Sequence, residues 1–197
     1  MKTFTKTTVT TEKLLKISYD MDAESPRDND GNLGYFITKD SKYSSPDKNE
    51  QLENIMCTSA DEAQNQEDHI QIMSNLINTE TEEQVIAIYP IVKYEHSGIS
   101  YSLGQINGFD YSNNGFYIIT DKTQKASGVK KANFEKAIKE ELEIYNQYAN
   151  GEVYQFVLFD EDGEVVDSCG GFYNIDDIKE YLPEDWKDEN MQNYFNA

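Results

Sequence analysis

The stretch FEKAIKEELEIYNQYANGEVYQFVLFDEDGEVVDSC, residues 134–169, decides the fold class of this chain. Residues 134–149 repeat apolar side chains at helical spacing, and the Asn-Gly pair that follows them is a typical helix stop. Residues 153–159 and 164–169 are β-prone runs joined by an Asp-Gly turn, which is a strong short-range signal for a hairpin. A helix followed by an antiparallel hairpin predicts an α+β protein.

The rest of the chain extends this pattern. A capping box at Ser59 and Glu62 predicts a helix that continues to Ile77. Short β-prone runs predict further strands at residues 14–19, 34–38, 84–94, 99–103 and 115–120, and a short acidic helix follows at 175–181. We therefore expect a mostly antiparallel sheet with two to three helices packed on one face.

Changes in composition along the chain divide it into three regions. Residues 1–13 are rich in threonine and are expected to form a loose N-terminal arm. Residues 14–182 are expected to fold as a single domain, which carries a polar loop near residues 39–58. Residues 183–197 are expected to form an acidic C-terminal tail.

The overall composition predicts a folded, cytoplasmic protein. The chain has 197 residues with 14 tyrosines and nine phenylalanines, and disordered acidic segments usually lack such aromatic side chains. No apolar run approaches the roughly 18 residues of a membrane span, and the N-terminus lacks the apolar core of a signal peptide. Cys57 and Cys169 fit no zinc spacing and are expected to be free thiols.

The net charge of -20 is concentrated in two blocks. Residues 20–83 carry a net charge of -12 and residues 135–189 carry -13, whereas the segments around them are slightly basic. Such a field repels nucleic acid and anionic membranes and attracts basic partners. Direct binding of nucleic acid or membrane is therefore not expected.

No motif in the chain predicts an enzyme. Phosphate-binding loops, nucleophile elbows and zinc motifs are absent, and neither a cofactor nor a metal is expected. His96 lies in a turn beside glutamate and serine, but adjacent residues rarely form a triad. Residues 20–31 begin like a calcium loop and then lack its glycine and its final glutamate. Arg27, the single arginine, is expected to form a structural ion pair that holds this loop.

The C-terminal acidic block is the predicted interaction surface. Its carboxylates lie on a predicted helix, at a predicted hairpin tip and in the segment beyond, from which they could be displayed much as phosphates are displayed along a duplex. The candidate partner-binding residues are Glu140, Glu141, Glu143, Asp160, Glu161, Asp162, Glu164, Asp176, Asp177, Glu184 and Asp185. A merely solvated acidic face is the alternative interpretation.

Several stretches together resemble a family of small acidic proteins that phages and mobile elements of Gram-positive bacteria carry. The stretches are residues 22–28 (DAESPRD), 33–34 (LG), 94–99 (YEHSGI), 115–122 (GFYIITDK), 145–148 (YNQY), 151–154 (GEVY), 160–164 (DEDGE), 167–169 (DSC) and 171–173 (GFY). In that family a tryptophan usually follows the Ser-Cys pair, whereas this chain has Gly170. The resemblance implies an accessory protein that acts against a host defence system.

Charge and resemblance together lead to one functional hypothesis and two alternatives. We expect an inhibitor that occupies the basic groove of a nucleic-acid-binding host defence enzyme, such as a restriction or CRISPR nuclease. A second possibility is a protein that binds or degrades a small signalling nucleotide, for which a basic pocket would have to come from Lys122, Lys125, Lys130 and Lys131. A third is a structural or regulatory phage protein.

Overall fold

A computed structural model describes residues 14–40 and 42–196 of the chain. The strands are β1 (Leu14–Tyr19), β2 (Tyr35–Thr38), β3 (Val85–Glu95), β4 (Ile99–Leu103), β5 (Tyr111–Thr120), β6 (Tyr154–Phe159) and β7 (Val165–Phe172). The α-helices are α1 (Glu50–Glu62), α2 (Gln66–Glu80), α3 (Asp121–Ser127) and α4 (Phe134–Ala149). Short 3-10 helices span Lys131–Asn133, Ile175–Tyr181, Glu184–Trp186 and Met191–Tyr194. The predicted α+β class is confirmed, and the expected N-terminal arm lies outside the described residues.

The chain forms two compact units where the sequence predicted one domain. Unit 1 comprises Met1–Glu24 and Gly151–Ala197, and unit 2 comprises Ser25–Asn150. The division follows from one long-range strand pair. Because β1 pairs antiparallel with β6, with Tyr19 opposite Tyr154, the first strand belongs with the C-terminal hairpin. Local sequence patterns cannot show such a pairing, so unit 2 was not recognised as an insertion.

Unit 2 is built on a four-stranded antiparallel sheet with the order β2-β5-β3-β4. The side chains of β5 alternate between two apolar clusters. Tyr117 and Ile119 pack with α4, whereas Phe116 and Ile118 pack with α1 and α2. The helices therefore cover both faces of this sheet and not one face, as the sequence analysis expected. A fully buried run such as β5 is the physical sign of a sheet covered on both sides.

Helix α4 of unit 2 matches the sequence prediction, whereas the helices that precede β3 do not. Helix α4 has the predicted bounds, and its apolar stripe is buried. The polar loop expected near residues 39–58 is wrong beyond residue 49, because α1 begins at Glu50 and Asn49 caps it by accepting from the N–H of Leu52. The single helix expected from Ser59 is in fact two helices. Ser59 is buried within α1 and donates its hydroxyl to the carbonyl of Ile55.

Specific side chains close both edges of the unit 2 sheet. On the β4 edge, the Asn146 amide binds the backbone N–H and C=O of Tyr101 at 2.7 and 3.0 Å, and the Asn150 amide binds those of Ile99 at 2.9 and 2.7 Å. On the β2 edge, the backbone N–H of Phe36 donates to Asp47, and that of Thr38 donates to Ser45. These side chains occupy backbone groups through which an open edge would pair with another strand.

Pro90 lies within β3, a position where proline lacks the N–H of the other strand residues. Pairing with β4 begins one residue later, at Ile91, and Pro90 lies opposite Phe116 of β5. The Pro90 carbonyl accepts from the N–H of Gly104 at 2.8 Å, on the β4 side. A residue in an antiparallel strand directs its N–H and C=O to the same side, so the missing N–H of Pro90 costs no hydrogen bond to β5.

Unit 1 contains a three-stranded antiparallel sheet with the order β1-β6-β7. Its core joins Leu15 and Ile17 of β1 to Phe156 of β6 and to the C-terminal 3-10 helices. The acidic tail expected at residues 183–197 is instead folded onto this core. Met191 is fully buried, and Phe195 forms a parallel bridge with Ile17. The segment is anchored to the core by Trp186, Met191, Tyr194 and Phe195. Their spacing along the chain is too irregular to predict a helix or a strand.

Candidate acidic interaction surface

The hairpin between β6 and β7 holds the first group of candidate carboxylates on a fixed turn. The Asp160 side chain accepts from the backbone N–H of Asp162 at 3.0 Å and of Glu164 at 2.9 Å. Gly163 has φ +83°, the left-handed conformation that glycine adopts at little cost. Asp160 therefore organises the turn, while Glu161, Asp162 and Glu164 are exposed around it.

The second group lies on the 3-10 helices that follow β7. Asn174 caps Ile175–Tyr181 by accepting from the N–H of Asp176 at 3.1 Å, and its amide donates to Asp177 at 3.2 Å. Lys179 lies 3.4 Å from Asp176. Glu184 and Asp185 are exposed in the next 3-10 helix. These carboxylates are placed by folded backbone and not by a loose tail.

Together these groups make unit 1 strongly anionic. Residues 14–24 and 151–196 contain sixteen carboxylate side chains and three lysines, which gives a net charge of -13. Fourteen of the sixteen carboxylates are exposed. Like charges at this density repel one another and attract cationic surfaces, with a strength that falls as salt rises. We refer to these exposed carboxylates as the acidic surface of unit 1.

The three candidates on α4 belong to unit 2 and differ in role. Glu143 is exposed, and Glu140 is exposed beside Lys136 at 3.7 Å. Glu141 is an internal ligand of the fold instead. It accepts from the N–H of Leu33 at 2.8 Å, from Arg27 at 2.6 Å and from the hydroxyl of Tyr117. The Glu141 carboxylate is therefore bound within unit 2, unlike the exposed carboxylates of Glu140 and Glu143.

Arg27 is a structural residue, as its sequence context predicted. Its guanidinium donates twice to Asp47, at 2.8 and 3.0 Å, and once each to Glu141, to Asn32 and to the carbonyl of Gly34. All five donors are thus used, and the side chain is 2% exposed. Burial alone would lower the pKa of Arg27, but the hydrogen bonds and charge of Asp47 raise it above its usual value.

A second buried cation was missed by the sequence analysis. Lys93 of β3 is 4% exposed and donates to Asp40 and, at 2.7 Å, to Glu95. Burial would lower the pKa of Lys93, but its hydrogen bonds to these carboxylates raise it. The bond from Lys93 lowers the pKa of Glu95, and it also lowers that of Asp40 against the opposing effect of burial. Lys93 and Glu95 alternate at the end of an otherwise apolar strand, and this pattern was the feature of the sequence that could have indicated the buried ion pair.

The lysines of the alternative hypothesis do not converge on one pocket. Lys122 lies 3.9 Å from Glu83 and borders a cavity of about 330 Å³ beside Arg27, whose donors are already used. Lys131 borders a different groove, which it shares with Glu135, Lys136, Lys139, Glu140 and Glu143. Lys125 and Lys130 are exposed. The arrangement offers no concentrated positive charge for an anionic nucleotide.

His96 and the two cysteines are the remaining candidate residues. His96 is exposed, with its Nδ1 3.8 Å from Asp110. Across residues 14–40 and 42–196, no group of three or more histidine, cysteine or acidic side chains is placed to hold a metal ion. Within the same ranges, no helix is both long enough and apolar enough to cross a bilayer. Cys57 and Cys169 are free thiols.

Comparison of the chain with models of known protein families, with curated proteins and with solved structures finds no match.

Proposed function

We propose that this protein binds a basic nucleic-acid-binding protein through the acidic surface of unit 1 and so excludes nucleic acid from that protein's groove. One observation carries the proposal: the described part of unit 1 has a net charge of -13 and exposes fourteen carboxylates. Lysines and arginines that would otherwise donate to phosphates can donate to these carboxylates instead.

The placement of the carboxylates supports binding to a protein surface. Asp160 fixes the hairpin tip and Asn174 fixes the first C-terminal 3-10 helix, so both groups keep their positions relative to their own backbone. A surface that is already ordered loses less entropy when it binds. The resemblance to small acidic proteins of phages and mobile elements directs the proposal to host defence nucleases as the target class.

The proposal is tested by capture followed by displacement. Tagged protein is incubated with lysate of a low-GC Gram-positive bacterium at low and at high salt, and duplex DNA is then added to the washed resin. We expect DNA to elute nucleic-acid-binding proteins that are retained at low salt and lost at high salt, because carboxylates and phosphates compete for the same basic groups.

A charge-matched pair of variants makes the test specific. The hairpin variant carries Glu161→Gln, Asp162→Asn and Glu164→Gln. The control carries Asp61→Asn, Glu62→Gln and Glu67→Gln, which removes the same charge from exposed positions of unit 2. The hairpin variant should capture less of the same proteins than the control does. Equal losses in both variants, or capture that DNA does not reverse, would contradict the proposal.

A further inference from the structure

Strand β7 forms a sheet edge that the described residues leave open. Asparagine amides cover β4, residues 45–47 cover β2, and the C-terminal segment covers β1, where the N–H of Asn196 donates to the carbonyl of Ile17 at 2.8 Å. By contrast, residues 165–171 of β7 are all exposed. Asp20, directly after β1, accepts from the backbone N–H of Gly171 in β7.

The exposed edge is suited to pairing with another strand. Val165 is 58% exposed and Val166 is 53% exposed, so two β-branched side chains stand in solvent at the start of the strand. The backbone N–H of Ser168 donates to the side chain of the neighbouring Asp167 at 2.8 Å, a local contact that a pairing strand would replace. The pairing of β7 with β6 shifts in register near residue 166 and near residues 170–171, so residues 167–169 are the regular part of this edge. Natural sheets normally blunt an edge with lysine, proline, a bulge or a covering segment, and residues 167–169 contain neither lysine nor proline.

The negative charge of unit 1 favours a basic strand over a second copy of the chain as the partner of β7. A second copy of the chain would bring another net charge of -13 to the same edge, and like charges across a strand pair are destabilising. A lysine- or arginine-rich strand would instead meet Asp167 on the strand and the hairpin carboxylates beside it. We propose that β7 is the docking edge for an extended basic strand of a partner protein, which joins the sheet as its fourth strand through backbone hydrogen bonds.

The inference deepens the proposed function and rests on it for one element, the basic character of the partner. The strand pairing itself does not require the partner to bind nucleic acid. The two claims use different atoms, since the proposed function depends on carboxylates and the docking edge depends on backbone groups of β7. Experiments on each can therefore fail separately.

The test uses the full chain and a defined probe. The probe is a synthetic peptide of the length of β7 in which lysine alternates with valine, and its control replaces the valines by proline, which keeps the charge but cannot pair as a strand. Binding is measured by fluorescence anisotropy, and hydrogen exchange is followed at the amides of residues 165–171. We expect the lysine–valine peptide to slow exchange at Ser168 and to bind about tenfold more tightly than the proline peptide.

Three variants locate the binding on the edge. Val166→Lys places a charge of the partner's own sign on the strand, and Ser168→Pro removes the backbone N–H of that residue. Gln192→Lys adds the same charge as Val166→Lys at an exposed position of unit 1 away from the edge. We expect the two edge variants to lose the preference for the lysine–valine peptide and Gln192→Lys to keep it. If Ser168→Pro does not fold, Val166→Lys and its control decide the result.

Several results would overturn the proposal. Equal binding of both peptides would reduce the interaction to charge alone. Slow exchange along β7 in the monomer before any peptide is added would mean that the chain already covers this edge. A dimer in sedimentation that Ser168→Pro dissociates would make a second copy the occupant. If any of these results is obtained while DNA still elutes the captured proteins, β7 is not a docking edge and the proposed function is unaffected.

Discussion

Arg27 shows how a single side chain can organise a loop of this protein. Its five donors are all matched with acceptors on residues that follow it by 5 to 114 positions. We predict that Arg27→Lys lowers the free energy of unfolding by about 3 kcal/mol or more, because lysine lacks the planar fork and leaves buried acceptors unmatched. Urea denaturation followed by circular dichroism measures the change.

Tyr117→Phe is the milder comparison for this network. It removes only the hydroxyl that donates to Glu141 and accepts from the N–H of Gly34 at 3.0 Å. The expected loss is about 1–3 kcal/mol, the cost of leaving such partners unsatisfied. An Arg27→Lys protein as stable as the unaltered chain would show that the network does not hold the loop.

Gly170 is required by its neighbour and not by its own backbone angles. A Cβ at this position would overlap Oδ2 of Asp20, the same oxygen that accepts from the N–H of Gly171 at 2.9 Å. We predict that Gly170→Ala destabilises unit 1 by about 1–3 kcal/mol, because the alanine must displace Asp20 from that hydrogen bond.

A double-mutant cycle isolates the clash at Gly170. The variant Asp20→Ala loses the hydrogen bond by itself, so adding Gly170→Ala to it should cost much less than Gly170→Ala costs in the unaltered chain. Chemical denaturation of the four proteins gives the coupling energy. Additive effects of the two substitutions would show that Asp20 is not what excludes a side chain at this position.

At the scale of elements, α4 seals the β4 edge through Asn146 and Asn150, which lie one helical turn apart. Each amide satisfies one backbone N–H and one C=O of the strand. We predict that Asn146→Ala lowers the free energy of unfolding by about 1–3 kcal/mol, because Tyr101 then has unsatisfied backbone groups. Denaturation should show less change for Asn193→Ala, whose side chain is exposed in a 3-10 helix.

The Asn146→Ala variant should also associate more readily than the control. Removal of the amide leaves part of the β4 edge open, and open edges pair with other strands. Light scattering at increasing protein concentration detects this association. An Asn146→Ala variant that is as stable and as monomeric as Asn193→Ala would contradict the sealing role.

The elements that could be predicted are those whose signals are local. The periodicity of α4 and the Asp-Gly turn of the β6–β7 hairpin each lie within a short window, and both elements formed as predicted. Helix α1 was missed although Leu52, Ile55 and Met56 are buried at helical spacing, because the polar composition of residues 39–51 was extended over the start of the helix. The pairing of β1 with β6 depends on residues more than 130 positions apart, which no local pattern encodes.

The candidate site residues show the same difference between local and long-range signals. The hairpin carboxylates were placed correctly on a turn, because the turn itself was predictable. Glu141 was misassigned, since on α4 it has the same sequence appearance as the exposed Glu140 and Glu143. Only the packing of Arg27 and Tyr117 against α4 reveals that Glu141 is an internal partner.

At the scale of the whole molecule, the abundance of tyrosine predicts a loss of stability at alkaline pH. Burial is the main cause that raises the pKa of Tyr35 and of Tyr101 to about 12, and it also raises the pKa of Tyr117 and of Tyr145. Since an unfolded tyrosine has a pKa of about 10, the folded state favours the neutral form. This contribution to stability is complete below that pH and is lost as pH rises from about 10 towards 12.

The alkaline transition can be followed by two signals at once. Tyrosinate absorbance reports ionisation, and circular dichroism reports unfolding. We expect the last tyrosines to ionise together with unfolding, and we expect Tyr101→Phe to make the loss of stability with pH less steep. Complete tyrosine ionisation in a chain that remains folded would contradict the assigned pKa directions.

The two units also give the whole molecule a division of roles. Unit 2 covers its sheet edges and pairs its buried ions internally, and it exposes twelve carboxylates among 125 described residues. Unit 1 exposes fourteen carboxylates among 57 described residues, together with the edge of β7. An interaction surface is expected where charge and backbone groups remain exposed. We therefore assign partner binding to the acidic surface of unit 1.

The most direct test of that claim is the salt dependence of affinity between the purified chain and a protein that it captures and DNA releases. The logarithm of the binding constant should fall linearly with the logarithm of salt concentration, and the fall should be less steep for the hairpin variant than for the unit 2 control. Equal slopes for the two variants, at equal affinity, would show that the acidic surface of unit 1 does not make the contact.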